Sequence, residues 1–302
     1  MEITFDQYPY TAGSTLLQTI LPPWMHEEGS ERCLERLANA GIRNRIKQDF
    51  LDNDSFENWV KNCGWRHIVI ASVDSERNKP MEGMSISDIA ERRNIDPADA
   101  AFDLIVEERG AVSMIVHWGV EADVMTAMKH PFQLFGSDSI FGSKPHPRLY
   151  GTYPRVLGRY VRDLNALSMP QAIRQMTGAP AQLLRLKDRG LLREGMHADV
   201  VIFDPAAVAD RSTYSQPLLE PAGIEYVIVN GQIAVQNGKF MNVSAGRVIR
   251  GGRLRLRGRQ PLNLMAGLKM EDCRISSAVF GIYVRRTKKG ARGNGGAVLE
   301  KD

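Results

Sequence analysis

Two polar side chains with clear chemical uses fall within a dozen residues. The run Phe135-Gly136-Ser137-Asp138 is followed by Pro145-His146-Pro147-Arg148-Leu149-Tyr150-Gly151-Thr152-Tyr153-Pro154-Arg155. Asp138 comes directly after a short apolar run, at the kind of strand end where an α/β barrel carries its active site. A carboxylate there can act as general base toward a metal-bound water and then return the proton to a leaving amine. The same residue also suits a helix N-cap, since aspartate is a favoured cap. Arg148 can clamp a carboxylate through two parallel hydrogen bonds, or form an exposed ion pair. The stretch around it, with His146, Tyr150 and Tyr153, reads as a loop stiffened by its prolines.

A metal centre would need three or four converging ligands. The six histidines are His26, His67, His117, His130, His146 and His197, and none forms His-x-His or His-x-x-x-His. His117 closes a strand and either faces the site or supports it. His130, before Pro131, suits a helix end, where a cation complements the dipole. His26 and His197 read as surface residues. Cys33 and Cys63 read as packing residues. Trp24, Trp59 and Trp65 either wall an apolar lid or pack a small subdomain.

These residues need elements to hold them. Ile3 to Tyr8 alternates with period two and reads as a strand running into turn residues Ala12-Gly13-Ser14-Thr15. Residues 30–54 read as helical, and His67 to Ser72 as a buried strand. Ser85 and Asp88 have capping-box spacing, and Pro97 suits the first turn of a helix that ends at Gly110. Strands over 112–116 and 132–136 flank a helix over 121–129, and residues 169–186 read as helical. Alternating strands and helices predict a parallel α/β sheet or barrel. After Gly190 the texture becomes β, with Asn230-Gly231 as a tight hairpin turn.

The bulk properties restrict the function classes. Hydrophobic residues at 43% and charged residues at 25% suit a globular chain. The formal charge of +4 conceals a net +9 from Arg250 onward and −5 before it. The basic balance therefore belongs to the tail and is no nucleic-acid footprint of the body. No apolar run reaches membrane-span length, and no basic leader precedes an apolar stretch. The three cysteines make no CxxC pair, which predicts a reducing, cytoplasmic setting.

Taken together, Tyr8 to Thr15, Ile68 to Ser72, Gly136 to Asp138 and His146 to Arg155 resemble the D-aminoacylase family, the N-acyl-D-amino-acid deacylases of the amidohydrolase superfamily. Leu157 to Tyr160, Met176 to Pro180, Asp188 to Gly195, Ala198 to Pro205 and Gly246 to Arg250 extend the resemblance. It implies a (β/α)8 barrel with zinc at the strand ends and a small β-sandwich. It implies catalytic Asp138 and substrate-binding Arg148, Ser72 and Tyr8. Tyr8 lies where some members carry a metal-binding histidine, which counts against a metal ligand from that strand. The family's other metal ligands are expected upstream of residue 1, so the metal site is expected to be incomplete. The resemblance further implies a C-terminal part only: a partial barrel over 1–190 with an insertion at 22–66, a β-sandwich portion over 191–250, and a poorly ordered basic tail over 251–302. The implied substrate is a small N-acyl-D-amino acid, with neither nucleic acid nor membrane as partner. Activity on cyclic amides (dihydroorotase- or hydantoinase-like), and a non-catalytic piece that pairs with a missing N-terminal half, stay open as alternatives.

Overall fold

The computed structural model describes residues 3–249 and the backbone of residues 281–284. The expected basic tail otherwise lies outside the described residues. The chain has an α/β fold. Strand β1 (Phe5–Gln7) is followed by β2 (Ala12–Leu16), then by helices α1 (Ser30–Leu37), α2 (Ala40–Asp52) and α3 (Trp59–Cys63). Next come β3 (Ile68–Ser72), α4 (Ile86–Arg93), α5 (Pro97–Glu107) and β4 (Ser113–His117). Helix α6 (Glu121–Met128) leads into β5 (Gln133–Phe135).

The predicted parallel sheet is only partly present. β1 and β5 pair in parallel, but β2, β4 and β3 form an antiparallel sheet in that order. Connection geometry gives the reason. Between β3 and β4 the chain traverses two mutually packed helices, α4 and α5. A pair of helices brings it back to the end it left, so the next strand runs the other way. Residues 12–15 are therefore strand rather than turn. Pairing with β4 overrides their weak local preference.

Local signals elsewhere are obeyed. Ser85 and Asp88 form the capping box, and Pro97 opens α5 behind an Asp96 cap. The apolar faces of α1, α2, α4 and α5 close over β3 and β4. Leu37, Ile46, Ile70, Ile89, Phe102 and Met114 share this first core. The three tryptophans belong to its margin. Trp24 donates to Asp49 at 2.8 Å, Trp65 packs edge-on against Phe50, and Trp59 meets Trp118.

Arg148 to Arg155 is not a loop. It is helix α7, and the chain continues as a π-helix over Val156–Asp163. Gly151 and Pro154 hide this helix from a propensity argument. Pro154 withholds the N–H that would bond the carbonyl of Tyr150, and the ladder widens directly after it. Helix α8 (Met169–Met176) breaks at Thr177 before α9 (Gly178–Leu183). A second core joins Phe135, Leu157, Tyr160 and Ala172 to Phe203 and Val208.

The final sheet holds β6 (Val200–Phe203), β7 (Ile224–Val229), β8 (Gln232–Gln236), β9 (Lys239–Phe240) and β10 (Gly281–Val284), ordered β10-β6-β7-β8-β9. Asn230 and Gly231 have φ of 48° and 81°, the doubly positive pair of a tight hairpin turn. No helix among the described residues is long and apolar enough to cross a membrane.

Candidate active site

Parallel pairing places the site. Gln7 lies opposite Phe135, so Tyr8 and the Gly136–Asp138 segment leave the same end of the β1–β5 pair. Gly136 N–H donates to the Gln7 carbonyl at 3.2 Å. Asp138 has φ of 46° and a side chain that is 70% exposed. Its Oδ2 is 2.9 Å from Nη2 of Arg148.

Arg148 is the unusual residue. Its side chain is 1% exposed. Nη2 also donates to the Ser14 carbonyl at 3.2 Å, and the guanidinium lies over the Tyr8 ring, 4.5 Å from its centre. Nε and Nη1 have no hydrogen-bond partner among the described residues. Buried donors without acceptors cost roughly 1–3 kcal/mol each, more when charged. Buried donors left this way are completed by water, an ion or a ligand, which makes Arg148 a candidate binding residue.

His146 fixes the backbone at Arg148. Its Nδ1 accepts the Arg148 backbone N–H at 3.0 Å, so Nε2 carries the ring proton and donates to the Ala12 carbonyl at 3.1 Å. Tyr10 and Tyr214 stack edge-on against the ring at 5.0 and 5.2 Å. Burial, with the Arg148 charge second, pushes the His146 pKa down to about 3. The imidazole is a neutral strut with both nitrogens engaged.

This has a pH consequence. The folded pKa lies below the ordinary 6.5, so the unfolded chain binds the extra proton between those values. The contribution of His146 is complete above pH 6.5 and is lost as pH falls toward 3. Denaturant unfolding across this window is expected to show a loss on the order of a few kcal/mol from this group. The dependence should flatten in His146→Gln, which carries no titrating ring.

Around this centre the elements are tied together. Arg155 donates to the Pro9 carbonyl at 2.8 Å and pairs with Asp210 at 3.0 Å. Tyr160 donates to Glu121 at 2.6 Å. Gly151 lets α7 pass the Tyr10 hydroxyl, which a Cβ there would overlap. Burial raises the Tyr8 pKa against the opposing Arg148 charge, so Tyr8 stays a neutral phenol.

The structure thus brings Tyr8, Asp138 and Arg148 together. Ser72 closes β3. It shares a hydrogen bond with Ser113 at 2.5 Å and faces Gly142. The serine beside Arg148 is Ser14, which the reading of residues 12–15 as a turn concealed. His117 ends an antiparallel strand and packs against Tyr214 at 4.8 Å. Burial, then the charge of His67, lowers its pKa. His130 accepts the Phe132 N–H, and His197 pairs with Asp188 at 3.4 Å. Among the described residues no group of three or more His, Cys, Asp or Glu can hold a metal ion. By themselves they do not fit one.

Comparison with known proteins gives the family. The model of the amidohydrolase family matches residues 78–235. A D-aminoacylase of Alcaligenes xylosoxydans xylosoxydans is 31% identical over 82% of this chain and 42% of its own length. An N-acyl-D-glutamate deacylase of the same organism is 42% identical over 49% of this chain and 30% of its own. Among solved structures, N-acyl-D-glutamate deacylase from Bordetella bronchiseptica, complexed with zinc and a phosphonate inhibitor that mimics the tetrahedral intermediate, superposes with a TM-score of 0.57 at 31% identity. The match covers 76% of this chain and 39% of that one. A D-aminoacylase structure gives 0.59 at 31% identity, covering 81% and 42%. The chain therefore spans about two-fifths of the length of the D-aminoacylase relative it matches. With the family model matched over more than half of its residues, this chain belongs to the amidohydrolase family.

Proposed function

We propose that this chain carries the carboxylate-recognition and proton-transfer part of a hydrolase acting on the linear amide bond of N-acyl-D-amino acids. The observation that carries the reading is buried Arg148, with Nε and Nη1 unpartnered, 2.9 Å from exposed Asp138. On this reading Arg148 holds the α-carboxylate of the substrate and Tyr8 lies against the guanidinium. Ser72, which faces Gly142 in the loop between Asp138 and Arg148, is proposed with Tyr8 as a substrate-binding residue. Asp138 takes a proton from the attacking water. As the water oxygen bonds the acyl carbon and the C–N bond breaks, Asp138 returns a proton to the departing amine. The products are a carboxylate and a free D-amino acid.

The parallel β1–β5 pair and the antiparallel β6–β7–β8–β9 strands support a partial (β/α)8 barrel over 1–190, with 22–66 as an insertion, and a β-sandwich portion over 191–250. Zinc would polarise the acyl carbonyl in such an enzyme. The described residues offer no ligand group for it. The chain alone is therefore expected to bind the substrate without turning it over.

Calorimetric titration tests this. N-acetyl-D-glutamate should bind, and the same compound with its α-carboxylate converted to the amide should not. A cyclic hydantoin, which has no free carboxylate to offer Arg148, should not bind either. Equal binding of acid and amide would remove the carboxylate reading. About one zinc per chain with turnover of N-acetyl-D-methionine would remove the expectation of inactivity.

A further inference from the structure

We propose that Glu82, which lies outside the site, is a positioning residue that fixes the segment between Asp138 and Arg148. This rests on the reading of those two residues as base and carboxylate clamp. Ser143 lies midway between them, in a segment without regular structure. Its hydroxyl donates to Glu82 Oε1 at 2.6 Å. The neighbouring Lys144 donates to the Glu82 backbone carbonyl at 3.0 Å. Gly142, on the other side, sits against the Ser72 hydroxyl, with room for a Cβ only at 3.0 Å. Three consecutive residues of the loop thus dock on the end of β3 and on the β3–α4 connection.

The mount itself is rigid. The Glu82 side chain is 5% exposed, and its Oε1 also accepts the Val73 N–H at 3.0 Å and Lys79 Nζ at 3.1 Å. Hydrogen bonds from Gly83 to Ile70 (2.8 Å) and from Ile70 to Met84 (2.9 Å) pin the adjoining backbone to β3. Burial alone would raise the Glu82 pKa, but Ser143, Val73 and Lys79 together hold it below the ordinary carboxylate value. Glu82 is therefore a charged acceptor at neutral pH. The antiparallel sheet reaches through it to the loop whose two ends carry the chemistry. Misplacing a reacting group by about 1 Å can cost on the order of 100-fold, so a mid-loop anchor bears directly on function.

The test uses the full chain and two readouts. In Ser143→Ala/Lys144→Met, which leaves Glu82 in place, amide exchange over residues 139–146 should rise about 10-fold or more. The dissociation constant for N-acetyl-D-glutamate should weaken about 10-fold, with the thermal midpoint unchanged. Glu82→Ala should reproduce both effects, and Glu82→Gln, which keeps the Oε1 acceptor, should largely restore both. Faster exchange with unchanged affinity in the double variant would overturn the positioning role. Unchanged exchange would overturn the anchor. A wild-type chain that binds neither N-acetyl-D-glutamate nor N-acetyl-D-methionine would instead overturn the site reading, and the positioning role with it.

Discussion

Arg148→Met is expected to abolish carboxylate binding while leaving the chain at least as stable as before. The guanidinium is buried, pairs with one exposed carboxylate and one carbonyl, and leaves Nε and Nη1 unsatisfied. Replacing a poorly compensated buried charge by an apolar side chain of similar length is often neutral or stabilising by about 1–4 kcal/mol. Asp138 is largely solvated, so losing its partner strands no charge. A charge-assisted hydrogen bond to a ligand is worth about 2 kcal/mol, so affinity should fall roughly 30-fold for each bond lost. Denaturant titration and calorimetry on the same sample check both signs. A variant that binds normally refutes the clamp. A variant that loses several kcal/mol of stability shows that the arginine serves the fold.

Asp199→Ala should do the opposite, destabilising the β unit without touching the site. Asp199 is 2% exposed and contacts Arg189, itself only 9% exposed. Its other oxygen accepts the Asn230 N–H at 2.7 Å, and Asn230 in turn binds Arg189 at 2.6 Å and the Ala245 carbonyl at 2.7 Å. The carboxylate therefore locks the β7–β8 turn to the start of β6. Removing it leaves a buried guanidinium short of its counter-charge, at a cost of about 3–5 kcal/mol. For a chain of this size that corresponds to a fall in Tm of roughly 10 °C. Arg189→Met in the same background should recover much of the loss, because it removes the stranded charge. A shift of less than about 2 °C in Asp199→Ala would show that water satisfies this pair.

Legibility in the sequence followed the range of the interaction. The Asn230-Gly231 turn, the Ser85–Asp88 cap and the Pro97 helix start are each decided within four residues, and all three stand as read. The antiparallel course of β2, β3 and β4 depends on helix pairing, which periodicity does not encode. Helix α7 was hidden because Gly151 and Pro154 argue against helix locally. Its reasons are tertiary: Gly151 admits the Tyr10 hydroxyl, and α7 carries Arg148 beneath His146.

By itself the sequence determined which side chains were available for chemistry: a carboxylate after an apolar strand, an arginine ten residues on, and a tyrosine after the first strand. Residue type limits what each group can do, so Asp138 and Arg148 stood out as candidates for base and clamp without coordinates. Only the tertiary structure decided their states. It buried Arg148 and left two of its nitrogens without a hydrogen-bond partner among the described residues, kept Asp138 in water, held His146 neutral, put Ser14 beside the guanidinium and paired Ser72 with Ser113. These are matters of desolvation and of contacts between segments, up to 134 residues apart, and no local pattern records them.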